Sequence, residues 1–371
     1  MLERMNMRSA KLALGLLATA LLASGCSTNI VSATPTPVDY KACMSVSPAG
    51  LADGGLNQNA YFGLQQAAVQ YGVGISATEA GATQSVGDYQ RRIDRLIKRG
   101  CNLIFAVGGN QNAAVYSKAR AHTNIRFVLV DQAPYIIHTM MRVGDYNNVT
   151  ALNYDSAIAS FQAGFLAASH STSKVVGVIS GTDDRVAQTE VWYFMQGVEH
   201  YNLANPEAEV LVVGASGSNP ATWWNLAESA SPKSVKQSVG HLLTLGADVV
   251  FPVGVNGLAA TQEVALKPGA VVIGADSDWF TEARYATVKN LVLASIHKMV
   301  ASDIANLVGK YFAQSQSSAS PTSTANEVAI AGLVKLTPQH AIDYGSGVQG
   351  QLDDLAQQFA SGIALPSPFI Q

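Results

Sequence analysis

Leu96-Ile-Lys-Arg-Gly100-Cys-Asn-Leu-Ile-Phe-Ala-Val-Gly108-Gly-Asn110 returns, altered but in step, as Leu242-Leu-Thr-Leu-Gly246-Ala-Asp-Val-Val-Phe-Pro-Val-Gly254-Val-Asn256. Each copy reads as the end of a helix, a Gly stop, a short apolar strand and a Gly turn. A second pair of echoes follows at nearly equal spacing. Ile125-Arg-Phe-Val-Leu-Val-Asp131 and Val271-Val-Ile-Gly-Ala-Asp276 are both apolar strands that end in Asp. The repetition predicts two α/β lobes of one design, each with an Asp at the carboxyl end of a strand. Open α/β sheets bind ligands at that edge, so two such edges facing each other would make a cleft.

The first residues read as an address. Arg4, Arg8 and Lys11 form a basic start before an apolar Leu/Ala run over 12–23, and Ala23-Ser24-Gly25-Cys26 follows. The run is too short for a membrane-spanning helix and has the form of a secretory signal. Small residues directly before a Cys resemble the bacterial lipoprotein signal, although Ala23 stands where Leu is commonest and Leu22 comes one place earlier. The resemblance implies a signal peptide over 1–26 with Cys26 as the lipidated residue. The alternative is an ordinary cleaved signal with an incidental Cys. Residues 27–40 are Ser/Thr/Pro-rich and read as a flexible tether.

The remainder is long enough for two domains, and no later segment is apolar for long enough to span a membrane. A net charge of −3 without a basic block argues against nucleic acid as a partner. Strand and helix alternate along the chain, which predicts parallel sheets with right-handed crossovers. Residues 147–153, 290–296 and 328–333 read as strands where the chain crosses between lobes, with a small-residue helix over 156–169 suited to close packing. The expected division is 41–149 plus 287–328 for the first lobe and 150–286 plus 329–371 for the second. Cys43 opens the first strand and Cys101 the strand after the second helix. In a doubly wound sheet ordered 2-1-3-4-5 these strands are neighbours. The two Cys are then either a disulfide, which an exported compartment permits, or two buried free thiols.

Nothing in the sequence asks for catalysis. The seven His are scattered, without metal-ligand spacing, and there is no Gly-x-Ser-x-Gly elbow or Walker A loop. Gly181-Thr-Asp-Asp184 follows a strand, but its two carboxylates stand where a phosphate would sit. No cofactor and no metal are expected. The positive signals are polar and aromatic groups at strand ends. Asp53-Gly-Gly-Leu-Asn57-Gln-Asn-Ala-Tyr61 leaves the first strand through a glycine turn, with Asn57 placed to cap the next helix and Tyr61 on its first turn, facing the cleft.

Residues 53–63 resemble the opening motif of the basic membrane protein family, the purine-nucleoside receptor lipoproteins of ABC importers. Further similar segments follow in order: Gly100-Cys-Asn-Leu-Ile-Phe-Ala-Val-Gly108, the strand ending in Asp131, Asn148-Val-Thr-Ala-Leu-Asn153, Ser160-Phe-Gln-Ala-Gly164, Lys174-Val-Val-Gly-Val-Ile-Ser-Gly181, Phe194-Met-Gln-Gly197, Ile273-Gly-Ala-Asp276-Ser-Asp278 and Val292-Leu-Ala-Ser-Ile-His-Lys298. The resemblance covers most of the mature chain. It implies a type I periplasmic-binding-protein fold, two doubly wound lobes joined by three crossovers, with a nucleoside held between them.

By the same resemblance Tyr61 and Phe194 would sandwich the base, and Asp53 and Asn57 would read its edge. Asp131 and Asp276 would hold the ribose hydroxyls, Lys298 would lie near the sugar, and Gly254 completes the ligand-binding set. The implied partner is an ABC permease, and the implied protein is a monomer held by its lipid anchor on the extracytoplasmic face of a membrane. Two departures bear on base preference: Leu333-Val-Lys-Leu-Thr337 replaces a Gly-rich stretch, and 183–192 is unlike the family. A sugar receptor of the same fold and an exported nucleoside-processing enzyme are the rival readings, with a surface adhesin or signalling lipoprotein as a third.

Overall fold

The structure is a computed structural model that describes residues 39–78, 85–108, 111–132, 146–181, 185–215, 225–226, 230–317, 329–332, 334–338 and 346–361. Cys26 and the expected signal and tether up to residue 38 lie outside the described residues, as does the Ser-rich segment beyond residue 317.

The first lobe alternates as its hydrophobic pattern predicts. The order is β1 (Lys41–Ser45), α1 (Leu56–Tyr71), β2 (Gly74–Ala77), α2 (Val86–Lys98), β3 (Leu103–Val107), α3 (Asn112–Ala121), β4 (Arg126–Val130) and β5 (Val149–Tyr154). The second lobe opens with α4 (Ala157–His170), β6 (Val175–Gly181), α5 (Arg185–Ala204), β7 (Leu211–Val213) and β8 (Asn225–Leu226). It continues with α6 (Pro232–Thr244), β9 (Val249–Val253), α7 (Gly257–Val264), β10 (Val271–Gly274) and β11 (Val292–Lys298). Then come α8 (Val300–Gln316), β12 (Ala329–Gly332), β13 (Val334–Pro338) and α9 (Ser346–Ala360).

The first sheet has the order β2-β1-β3-β4-β5-β12 and is parallel throughout. The second has the order β7-β6-β9-β10-β11-β13, with β8 beside the end of β6. Only β13 runs antiparallel in it, against β11. Each strand of β3 and β9 is buried along its whole length, as expected of strands covered by helices on both faces.

The lobe boundaries differ from those expected. Strand β5 completes the first sheet, β11 stays in the second, and β12 returns to the first. The three passages therefore fall after β5, between β11 and α8, and between β12 and β13, each several residues beyond the expected 149/150, 286/287 and 328/329. The reason is that each crossing strand pairs with the sheet it is leaving. Helix α8 lies on the first lobe, where Ile304, Leu307 and Val308 join Leu64 and Ala67 of α1 in one core. Helix α9 lies on the second, where Leu352 and Leu355 join Phe161 and Leu166 of α4. The tether expected to reach residue 40 ends earlier. Tyr40 is buried in the first core with its ring 5.4 Å from that of Phe312.

Two features fix the parts that carry the site. Cys43 and Cys101 are joined by a disulfide, with Cα atoms 6.0 Å apart, which ties β1 to the start of β3. Helices α4 and α5 touch backbone to backbone. A Cβ on Gly164 would overlap the Phe194 carbonyl oxygen, and one on Gly197 would overlap that of Phe161. The small-residue pattern of α4 thus has a reciprocal partner on α5. At the start of α4, Ser156 lies within hydrogen-bonding distance of Glu190 on the second turn of α5.

Candidate functional site

Between the lobes lies a cavity of about 270 Å³. The first lobe contributes the loop after β1 (Pro48, Ala52, Asp53, Gly55), Leu56 at the start of α1, Gly108 after β3 and Asp131 after β4. The second contributes Ser231 and Pro232 at the start of α6, Gly254 to Asn256 after β9, and Asp276 after β10. Both sheets present their carboxyl ends to it, as the paired echoes predict. The echo extends to the backbone. Gly108 and Gly254 have φ of 58° and 64°, and Asp131 and Asp276 have φ of 52° and 67°. Asp is among the few non-Gly residues that tolerate this left-handed region.

Asp131 and Asp276 meet at one buried ammonium. Lys298 Nζ, at the end of β11, donates to Asp131 Oδ2 at 2.8 Å, Asp276 Oδ1 at 2.9 Å and Glu190 Oε1 at 2.8 Å. An ammonium has three N–H donors, and each is committed to a different carboxylate. Burial works against the charge on Lys298, but Asp131, Asp276 and Glu190 outweigh it and hold its pKa well above the ordinary lysine value. Burial raises the Asp131 carboxyl, while Lys298 pulls it down. Burial likewise pushes Glu190 up to about 7, opposed by Lys298 and reinforced by Asp276 and Asp131. Lys298 therefore underlies the site rather than offering a free donor to it.

The loop after β1 is organised by Asp53. Its Oδ1 accepts from the Gly55 and Gln58 amides at 2.8 and 3.1 Å, and its Oδ2 from the Asn57 amide and Asn57 Nδ2, both at 2.9 Å. A carboxylate at a helix N-terminus satisfies orphan N–H groups and faces the positive end of the dipole. The sequence expectation that Asn57 caps the helix is thus corrected: the cap position is Gly55 and the capping side chain is Asp53. All four acceptor positions of Asp53 are filled, so it lines the cavity as a fixed carboxylate with no acceptor to spare. Asn57 is buried, with both amide hydrogens given to Ser47 Oγ and Asp53 Oδ2 and its Oδ1 accepting from the Ser47 amide. It holds the loop and does not line the cavity.

The two rings expected to clamp a base are elsewhere. Phe194 is fully buried in the second core, stacked on Phe251 with centroids 4.9 Å apart. Tyr61 is half-buried against the first core. One helical turn separates Tyr61 from the cavity loop, and its face of α1 turns inward. Among the described residues no aromatic ring lines the cavity. Its apolar wall is aliphatic: Pro48, Leu56, Pro232 and Val255.

Three contributors were not expected from the sequence. Asn256 caps α7 through its Oδ1, which accepts from the Ala259 amide at 2.9 Å. Arg284 crosses the cleft, donating to Gln58 Oε1 of α1 at 2.7 Å while pairing with Glu282 on its own lobe. Glu190 lies on the buried face of α5 with Ala187, Val191, Phe194 and Val198. An acid inside that apolar stripe is the signal that would have found it.

Among curated proteins none matches this chain significantly. Among solved structures, an ABC transporter solute-binding protein from Aeropyrum pernix superposes with a TM-score of 0.68 at 16% identity, covering 90% of this chain and 94% of its own. One from Conexibacter woesei gives 0.61 at 16% identity, covering 90% and 100%. A transcriptional activator of the comK gene from Bacillus halodurans gives 0.61 at 19% identity, covering 88% and 100%. At these identities the likeness shows the fold, which is the two-lobed type I periplasmic-binding-protein architecture. Residues 40–333 match the Bmp family, described as ABC transporter substrate-binding protein PnrA-like. Given that match over most of its length, the chain belongs to the Bmp family of ABC transporter substrate-binding proteins.

Proposed function

We propose that this receptor captures a nucleoside, with purine nucleosides the preferred class, and hands it to an ABC permease. The observation that supports the ligand class is the pair Asp131 and Asp276, one from each lobe, fixed on Lys298 at the cavity wall. A carboxylate accepts from vicinal hydroxyls through charge-assisted bonds, the stronger kind. One ammonium among three carboxylates leaves the floor negative, which favours a neutral, hydroxyl-rich ligand over a phosphate ester. The ribose would sit at the two Asp side chains and the base against the aliphatic wall. Lipidation at Cys26 would hold the receptor on the extracytoplasmic face; no described helix is long and apolar enough to cross a membrane.

The absence of Tyr61 and Phe194 from the cavity favours a second reading, a sugar receptor that uses the same carboxylates. Native mass spectrometry of the purified full-length protein identifies any retained ligand. Calorimetry with adenosine, guanosine and ribose separates the readings: nucleosides binding at least tenfold more tightly than ribose, about 1.4 kcal/mol, is the expected result. Tighter ribose binding replaces the nucleoside with a sugar. Conversion of inosine to products by the pure protein would move it to the enzymes.

A further inference from the structure

Glu190 is held in a way that its helix alone does not require. Its Oε1 accepts from Lys298 Nζ at 2.8 Å and from Ser156 Oγ at 2.7 Å. Ser156 stands at the N-cap of α4, where a Ser side chain ordinarily accepts a helix amide. It makes no such bond and donates to Glu190 instead. Glu190 Oε2 is buried with no hydrogen-bond partner among the described residues. A buried, half-satisfied carboxylate is costly, so this arrangement needs a reason.

The reason is the ammonium it faces. Lys298 must stay at the seam between lobes to bridge Asp131 of the first and Asp276 of the second. Those two bonds use two donors, and Glu190 takes the third from the α5 side. We propose that Glu190 is a positioning residue of the cavity, one that pins Lys298 between Asp131 and Asp276 and links ligand capture to a proton.

The groups around Glu190 are few. Lys298 comes from the end of β11, Asp276 from beyond β10 and Asp131 from beyond β4, while α4 offers the neutral Ser156. Tyr154 and Asp303 lie behind Asp131, bonded to each other at 3.1 Å. With Glu190 ionised the cluster has two surplus negative charges, and a proton on Glu190 halves that surplus. Burial pushes this carboxyl up to about 7, so the change falls near neutrality. Ligand hydroxyls donating to Asp131 and Asp276 offset the surplus charge and so favour the ionised form. Capture then releases a fraction of a proton. This last step rests on the hydroxyl-bearing ligand proposed above.

The test begins without ligand. Thermal unfolding of the full chain is compared for wild type and Glu190→Gln between about pH 5 and about pH 8. Glutamine keeps an acceptor for Lys298 and Ser156 but cannot ionise. The folded pKa of Glu190 is raised from 4.5 to about 7, so its stabilising contribution is complete below the lower value and lost as pH rises through the upper. The wild-type midpoint should fall relative to the variant across this range. Ser156→Ala removes a donor that favours the ionised form, so it should move the wild-type transition to higher pH. It also carries the test if Glu190→Gln does not fold. A wild-type and variant difference that stays constant with pH, or a transition unmoved by Ser156→Ala, overturns the proposal.

Calorimetry with adenosine in two buffers of different ionisation enthalpy, at about pH 7, then counts protons. Release by wild type and none by Glu190→Gln is expected. Equal exchange in both, or uptake, overturns the link to capture. If adenosine fails to bind while the ligand-free pH difference persists, the nucleoside reading falls and the positioning role of Glu190 stands.

Discussion

Asp131 and Asp276 belong to different lobes, yet both accept from the same nitrogen, Nζ of Lys298, at 2.8 and 2.9 Å. They also share a left-handed backbone, with φ of 52° and 67°. The internal repeat therefore places two matching carboxylates, and one lysine from the second lobe joins them. Asp276 Oδ2 faces Gly55 across the cleft, where a Cβ would stand 3.5 Å away. The lobes meet at this group, so ligand contact and lobe closure share some of the same atoms.

Asp276→Asn should weaken adenosine binding by about 1.5–3 kcal/mol, the range for a hydrogen bond to a charged group. Asn also tolerates positive φ, so the turn survives and the loss reports on charge. Adenine, which lacks the vicinal hydroxyls, should lose far less. Calorimetry with both ligands decides it: equal losses would remove Asp276 from the ribose.

Lys298→Met should destabilise the fold by about 3–5 kcal/mol, because it leaves the buried Asp131 and Glu190, and the partly exposed Asp276, without their counter-charge. The sign with pH follows from the raised Asp131 and Glu190. Without the lysine that pulls them down, both carboxyls rise further. The folded variant then holds protons more tightly than its unfolded chain and loses stability as pH increases. Urea denaturation should show a larger deficit at about pH 8 than at about pH 5. A deficit that shrinks with pH would mean the acids find another partner.

The sequence made the lobes legible because Gly stops and apolar runs are local signals. Gly100 and Gly246 both take positive φ where the echo predicts a helix stop. Where the chain crosses was less legible. Strands such as Val149–Tyr154 are buried on both faces, and only pairing partners say which sheet they complete. The aromatic pair failed for a related reason. Helical spacing gives the face of Phe194, but a face turned toward the core and one turned toward the cleft look alike in sequence. Glu190 was missed because a lone acid in α5 carries no motif; its meaning comes from Lys298, far along the chain and adjacent only in the fold.

Gly197→Ala should cost at least 1–3 kcal/mol, the usual penalty for overpacking, since its Cβ would overlap the Phe161 carbonyl. Pushing α4 from α5 also moves Ser156 away from Glu190, so the pH dependence of stability should change along with the midpoint. Thermal scans at two pH values test this. A uniform loss at both would confine the effect to packing.

Breaking the disulfide should lower stability by about 4 kcal/mol, from the chain-entropy cost of a closed loop of this length; Cys43 and Cys101 are 58 residues apart. Both Cys sit in the core behind the first sheet, away from the cavity. Cys43→Ala with Cys101→Ala should therefore lower the urea midpoint while leaving adenosine affinity within about threefold, less than 0.7 kcal/mol. A large loss of affinity would mean that the β1–β3 tie also sets the Asp53 loop.

Cys26→Ser should release the protein from the membrane fraction without unfolding it. A single acyl chain holds a protein only marginally, and a second makes attachment stable, so a diacylated Cys26 would be sufficient by itself. The Ser/Thr/Pro-rich residues after Cys26 are of a composition that does not build a core, and the folded lobe begins with the buried Tyr40. Loss of the lipid should leave thermal stability within about 0.5 kcal/mol, the ordinary range for a change outside the fold. Fractionation at high salt, which screens charge-based adhesion, with an unfolding scan of the released protein, checks both halves. A serine variant that still sediments with membranes would place the anchor elsewhere in the chain.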